Sequence, residues 1–115
     1  MKKGILSRIV IVMQLLICKE VELFIKSCER RTIAKIIRSI DLLREFGKEL
    51  SSPHVKQVQK GLFELHVRGY QEVRIFFIHR KGEIILIHGI LKKTQKIPSN
   101  EIRKVLRKIK TLEKI

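Results

Sequence analysis

Tryptophan is absent from this sequence, tyrosine occurs once, and proline and cysteine occur twice each. Two cysteines, Cys18 and Cys28, are too few for a disulfide framework or a four-ligand zinc site; they read as buried free thiols of a reducing compartment. No apolar run reaches the roughly 20 residues that a bilayer-spanning helix needs. Glycine-rich phosphate loops and the GxSxG, HExxH and CxxC patterns are all missing. The nucleotide, serine-hydrolase, zinc-protease and redox chemistries they serve therefore have no foothold, and neither a cofactor nor a metal is expected. Acidic residues are scarce as well, 11 against 26 Lys+Arg, for a net charge of +15.

What is present is an aliphatic, strongly basic chain. Hydrophobic residues make up 44% of its 115 positions, which argues against disorder despite 32% charged residues. The length fits one domain over residues 1–115. Such a positive excess suits a polyanionic or acidic partner, with salt-sensitive binding. The opening segment, MKKGILSRIVIVMQLLIC, begins like an export signal. Arg8 and Gln14 interrupt its apolar run, however, no small-residue cleavage site follows, and Ile17 stands where a small residue would precede a lipidated cysteine. The β-branched run Ile9–Met13 reads instead as a buried strand, in a cytoplasmic protein.

Val21, Phe24, Ile25 and Cys28 then fall on one face of a helix, as do Ile33, Ile36, Ile37, Ile40 and Leu43. Helices are predicted over residues 19–28 and 30–46, ended by Gly47, followed by a polar connection over 47–61. In Leu62–Arg68, Phe63, Leu65 and Val67 alternate with Glu64, His66 and Arg68, which predicts a strand with one buried and one wet face. Glu72–His79 and Glu83–Leu91 follow as strands joined through Gly82, the last apolar on both faces and so interior to the sheet. From Pro98, with Ser99 as N-cap, the stripe Ile102, Val105, Leu106, Ile109 and Leu112 predicts a closing helix. The order is β-α-α-β-β-β-α, an α+β architecture with a small, mostly antiparallel sheet.

The chemistry on offer is cationic, with few carboxylates to support it. His66 and Arg68 share a strand face, Arg74 interrupts an apolar strand, and His88 interrupts another just ahead of Lys92, Lys93 and Lys96. Each has a structural reading too: a hydrogen-bonded core histidine for His88, an internal ion pair for Arg74, a solvated loop for the lysines. His54 and His79 read as surface residues.

The stretch GLFELHVRGYQEVRIFFIHRKGEIILIHGILKKTQKIPSNEI, with FIKSCERRTIAKIIRSIDLLREFG upstream, resembles the HigB-like branch of the RelE/ParE toxin superfamily over about residues 8–110. The likeness lies in a GL-[YF]-ELR strand, an arginine inside the next strand and an LHGF-KKTQKTP segment leading to a last helix. His66 stands in place of that family's ELR arginine, Ile90 in place of the HGF aromatic and Val73 in place of a tyrosine.

The resemblance implies the toxin of a type II toxin–antitoxin pair that cleaves mRNA, usually on the translating ribosome. Its partner would be a HigA-like helix-turn-helix antitoxin with an acidic or amphipathic contact segment, operator DNA being bound only through the complex. Residue by residue, Arg74 falls on the strand arginine, and His88, Lys92, Lys93 and Lys96 on the lysine-rich segment, while Arg68 lies near a basic strand position. Arg74, His66, His88, Lys92 and Lys93 are the expected catalytic residues; Arg68, Lys96, Arg103 and Arg107 are expected to hold RNA. Arg74→Ala is expected to abolish toxicity without unfolding the protein. The competing readings are a gyrase-binding toxin of the ParE kind and an inactive relative that only binds antitoxin or RNA.

Overall fold

A computed structural model describes residues 14–93 and 96–113. Its elements are β1 (Gln14–Ile17), α1 (Lys19–Ser27), α2 (Arg30–Phe46), a 3-10 turn (Gly47–Glu49), β2 (Val55–Gln59), β3 (Leu62–Val67), β4 (Val73–Arg80), β5 (Glu83–Leu91) and α3 (Ser99–Glu113). The strands form one five-stranded sheet in the order β1-β5-β4-β3-β2. All neighbours are antiparallel except β1 and β5. The expected α+β architecture is thus the observed one.

Two apolar layers hold it. Val21, Ile36, Ile40 and Leu43 of the helical hairpin cover Leu65, Val67, Val73, Ile75, Phe77, Ile84 and Leu86 on one sheet face. Val105 of α3, with Ile102, Leu106, Ile109 and Leu112, covers Leu62, Phe76, Ile78, Ile85 and Ile87 on the other. Ile37 departs from the expected stripe: it is about half exposed, because the 3.6-residue period carries it past the contact line. Gly47 ends α2 as expected, at φ 54, where a side chain would be strained. Gly82, at φ 80 beside Lys81 at φ 48, closes the β4–β5 hairpin in the positive-φ turn that matches strand twist.

Several local expectations change. The strand expected over Ile9–Met13 lies outside the described residues; Gln14–Ile17 forms β1. The polar connection contains β2, an edge strand whose Val55 and Val58 are half-buried while Lys56, Gln57 and Gln59 are wet. Its polar composition and bulge suit an edge and hide it from an apolar-run criterion. Ser99 is the first residue of α3 rather than its cap, with the Pro98 carbonyl accepting from the Glu101 amide. The polar face of β3 is not wet: Glu64 is 5% exposed, and His66 is partly buried, because these side chains pair with one another and with β4. His79 is only partly exposed; its ring stands edge-on to Phe63 and Phe77.

One irregularity positions the chemistry. Between β4 and β5 the register shifts, Phe76 facing His88 and Phe77 facing Leu86, so that Ile87 has no partner. Strict alternation from Ile84 and Leu86 would turn His88 toward the helical hairpin. The bulge turns it to the α3 side instead and gives Gly89 to the hairpin side, where Phe24 leaves no room for a Cβ.

Candidate active site

On the α3 side of the sheet, two rows of polar side chains lie across the strands. In one, His66, Arg74 and Ile90 are register partners; in the next, Glu64, Phe76 and His88 are. Glu64 Oε1 is 2.5 Å from His66 Nε2 and 3.7 Å from Arg74 Nε. Arg74 is 4% exposed. Its Nη1 lies 3.6 Å from the Glu72 carboxylate and donates to the Val73 carbonyl at 3.3 Å. A guanidinium this deep is tolerable because two carboxylates flank it. With Glu64 accepting, His66 Nε2 carries the proton and Nδ1 keeps the lone pair; Nδ1 and Arg74 Nε are both buried without a hydrogen-bond partner.

His66 is held below the ordinary histidine range. Burial is the main cause; the Glu64 hydrogen bond opposes it, and the positive charges of Arg74 and Arg68 add to it. The ring is therefore neutral at pH 7 and able to accept a proton. Burial, with Lys48 nearby, holds His79 low in the same way. As pH falls through about 6.5 the unfolded chain takes up these protons before the folded one does, so stability is complete above that value and declines below it. Glu101, kept low chiefly by its hydrogen bond from His88, adds a further loss at pH values below the carboxylate range. The melting temperature is expected to be lower at pH 5 than at pH 7.5, a difference that His79→Phe reduces; circular dichroism melts at the two pH values check it.

His88 belongs to a different network. Its Nδ1 accepts from Lys108 Nζ at 3.0 Å, so its Nε2 carries the proton and donates to Glu101 at 2.7 Å. Lys108 continues to Glu20 of α1 at 3.2 Å, and Lys104 meets Glu101 at 3.2 Å. These bonds fasten α3 to the sheet and to α1, and Phe76 separates His88 from the Glu64 carboxylate across its row. The structure thus joins Arg74 with His66 and holds His88 in helix docking.

The lysines sit at the exit of β5. Lys92, Lys93 and Lys96 line a groove of about 510 Å³ with Phe24, Ile90 and Glu101. The Lys92 amide bonds the Glu72 carbonyl at 2.8 Å, so the half-buried Lys92 runs beside the Glu72–Arg74 segment, while Lys93 is exposed. Arg68, just past β3, is exposed and lines a second pocket beneath α2. Arg103 and Arg107 are exposed on the outer side of α3, and neither lines these two pockets.

Sequence reasoning missed Glu64, Glu72, Glu101 and Lys108. Glu64 carried one available signal, a carboxylate two residues before a histidine on the same strand face; the partners on α3 carried none.

A family model for phage-derived Gp49-like proteins, described as Phage derived protein Gp49-like (DUF891), matches residues 24–110. That span holds α2, β2 to β5 and most of α3, with every site residue named above except Glu20. The chain belongs to the Gp49-like family. Gp49-like proteins fall within the RelE/ParE-like toxin group, and a role as the toxin of a toxin–antitoxin pair is compatible with that membership. No curated protein matches the chain. Among the described residues of this Gp49-like chain, no helix is long and apolar enough to cross a membrane, and no group of three or more His, Cys, Asp or Glu is placed to hold a metal ion. Both cysteines are free, and burial raises their thiols above the ordinary range, which keeps them protonated and unreactive.

Proposed function

We propose that this Gp49-like protein is a HigB-type toxin that cleaves mRNA, with the translating ribosome as its place of action in the cytoplasm. The observation that carries the reading is the Glu64–His66 pair set directly across from Arg74. RNA supplies its own nucleophile. Once an opening at the sheet surface uncovers the buried His66 Nδ1, that nitrogen takes the proton of the 2′-OH, whose oxygen attacks phosphorus. The P–O5′ bond breaks with its electron pair going to O5′, and the ammonium of Lys92 supplies the proton that O5′ needs. Glu64 holds the imidazole tautomer and stabilises the imidazolium that forms. Arg74 stabilises the pentavalent phosphorane.

Glu72 gives this scheme a resting state. Its carboxylate is 44% exposed and lies where a phosphate oxygen would meet Nη1 of Arg74. The incoming phosphate displaces it, one anion for another, so Arg74 is never left uncompensated. Lys93 and Lys96 add positive charge at the groove mouth, while Arg103 and Arg107 meet RNA through the outer side of α3. The partner is a HigA-like helix-turn-helix antitoxin whose acidic segment covers the basic surface by charge complementarity, with operator DNA bound only by the pair.

The test is purified protein with an RNA substrate, free and ribosome-bound, and the same RNA carrying 2′-deoxy residues. Cleavage is expected only where the 2′-OH is present, leaving 2′,3′-cyclic phosphate and 5′-OH ends. Cleavage of the deoxy substrate overturns the mechanism. The burial of Arg74 favours a second reading, a member that binds without cleaving; RNA binding with no cleavage in either setting would establish it.

A further inference from the structure

The second pocket, of about 260 Å³, lies between α2 and the end of the sheet where β2 begins, with both Val67 of the hairpin side and His66 of the α3 side in its wall. Lys35 and Arg38 line it from α2, His54 from the turn before β2, and His66 and Arg68 from β3 and its end. No aspartate or glutamate is among its lining residues. Arg74, Arg44, Lys19, Lys104 and Lys108 each meet a carboxylate. Among the described residues, Lys35, Arg38 and Arg68 meet none. Like charges gathered around a concavity repel one another, and a bound anion reverses the sign of that energy.

The chain makes room for the gathering. A Cβ at Gly69 would sit 2.8 Å from both Cδ and Nζ of Lys35. The backbone there is not in the left-handed region, so the glycine serves space rather than conformation. Without a side chain at position 69, Lys35 lies across the strand end and donates to the Arg68 carbonyl at 3.3 Å. Next to it, the Arg31 guanidinium stands 4.8 Å from the ring centre of Tyr70, which is 67% exposed. Arg31, Lys35 and Arg38 recur at i, i+4 and i+7 along one side of α2, a reach of about 10 Å at 1.5 Å per residue. An exposed ring already engaged by a guanidinium offers a flat face to a nucleobase, and only an unstacked, single-stranded base can use it.

We propose that this pocket and the adjoining Tyr70 form a track for single-stranded RNA leading to His66. Lys35, Arg38 and Arg68 hold consecutive phosphates, and Tyr70 stacks a base. The proposal rests on the cleavage reading for its direction toward His66, but its binding chemistry is separable from cleavage. It accounts for Arg31, Lys35, Arg38 and Tyr70, to which the reaction assigns no role.

The experiment measures fluorescence anisotropy of a short labelled single-stranded RNA, fully 2′-O-methylated so that it cannot be cleaved, against the full chain over a range of salt. The double variant K35Q/R38Q removes two exposed charges. It is expected to bind at least roughly 10-fold more weakly at low salt, with the slope of log affinity against log salt reduced by about 1.4, at 0.7 per charge on a single strand. Y70A is expected to weaken binding roughly 5- to 100-fold with the slope unchanged. Unchanged affinity and slope in K35Q/R38Q overturn the track and leave the cleavage reading standing. Binding that depends on these residues, beside a wild-type protein that cleaves no unmethylated RNA, upholds the track and removes the nuclease. If K35Q/R38Q loses poly-glutamate while holding the RNA as before, the surface takes an acidic protein and the proposal falls.

Discussion

Arg74→Ala is expected to lose RNA cleavage by at least roughly 10²-fold, the scale of removing one preorganised group that stabilises developing charge. The same change is expected to weaken the fold, contrary to the expectation from sequence that it would not. Removing a guanidinium that is 4% exposed leaves the Glu64 carboxylate buried without a counter-charge, a situation that costs about 3–5 kcal/mol. Growth arrest lost in Arg74→Ala is therefore ambiguous between chemistry and folding. Arg74→Lys separates them. It keeps a positive charge near Glu64, so the melting temperature is expected to fall less, but it cannot offer the planar fork that meets two phosphate oxygens at once. Cleavage is expected to remain crippled in Arg74→Lys. Wild-type cleavage by that variant would remove Arg74 from the reaction.

His66→Ala is expected to lower the rate by about 10²–10⁴-fold, the range for a single acid–base group. Glu64→Gln is the more informative change. The amide cannot accept as a carboxylate does, and it withdraws the one influence besides its charge that raises the His66 pKa. The His66 value is then expected to fall further. In the pH–rate profile the acid limb moves to lower pH, and the plateau drops because the imidazolium formed in the reaction has lost its stabiliser. A purely structural Glu64 would lower the amount of folded protein and leave the position of the acid limb unchanged. Rates from pH 4.5 to 8, normalised to folded protein, distinguish the two.

Much of the frame could be read in the residues, and the reasons are local. Gly47 and the period of Val21, Phe24 and Ile25 announce the helical hairpin; Lys81–Gly82 announces the last β-turn. What could not be read depends on partners far along the chain. Glu64 alternates with apolar residues as a solvent-facing side chain does, and only its cross-strand neighbours turn it into a buried ligand of His66 and Arg74. His88 was visible as an ionisable group in an apolar strand, yet its direction was set by the unpaired Ile87 before it, and its partners come from 13 and 20 residues later. A strand's alternation cannot reveal a bulge that resets it. Of the candidate residues, Arg74 and His66 come together. Lys92 lies close along the backbone, and Arg103 and Arg107 stand apart.

The helix that covers Phe76, Ile78, Ile85 and Ile87 is built from residues that leave the ribosome after the whole sheet has emerged. Until then, among the described residues, that apolar face has no helix to rest on, only flanking side chains such as Cys18 and Val58. A nascent or truncated polypeptide ending near Pro98 would carry a sticky, half-clothed sheet, prone to self-association and to capture by chaperones. A stop codon anywhere in the final helix is thus a route to disarming the protein by insolubility, with every side chain of the Glu64–His66–Arg74 cluster still encoded.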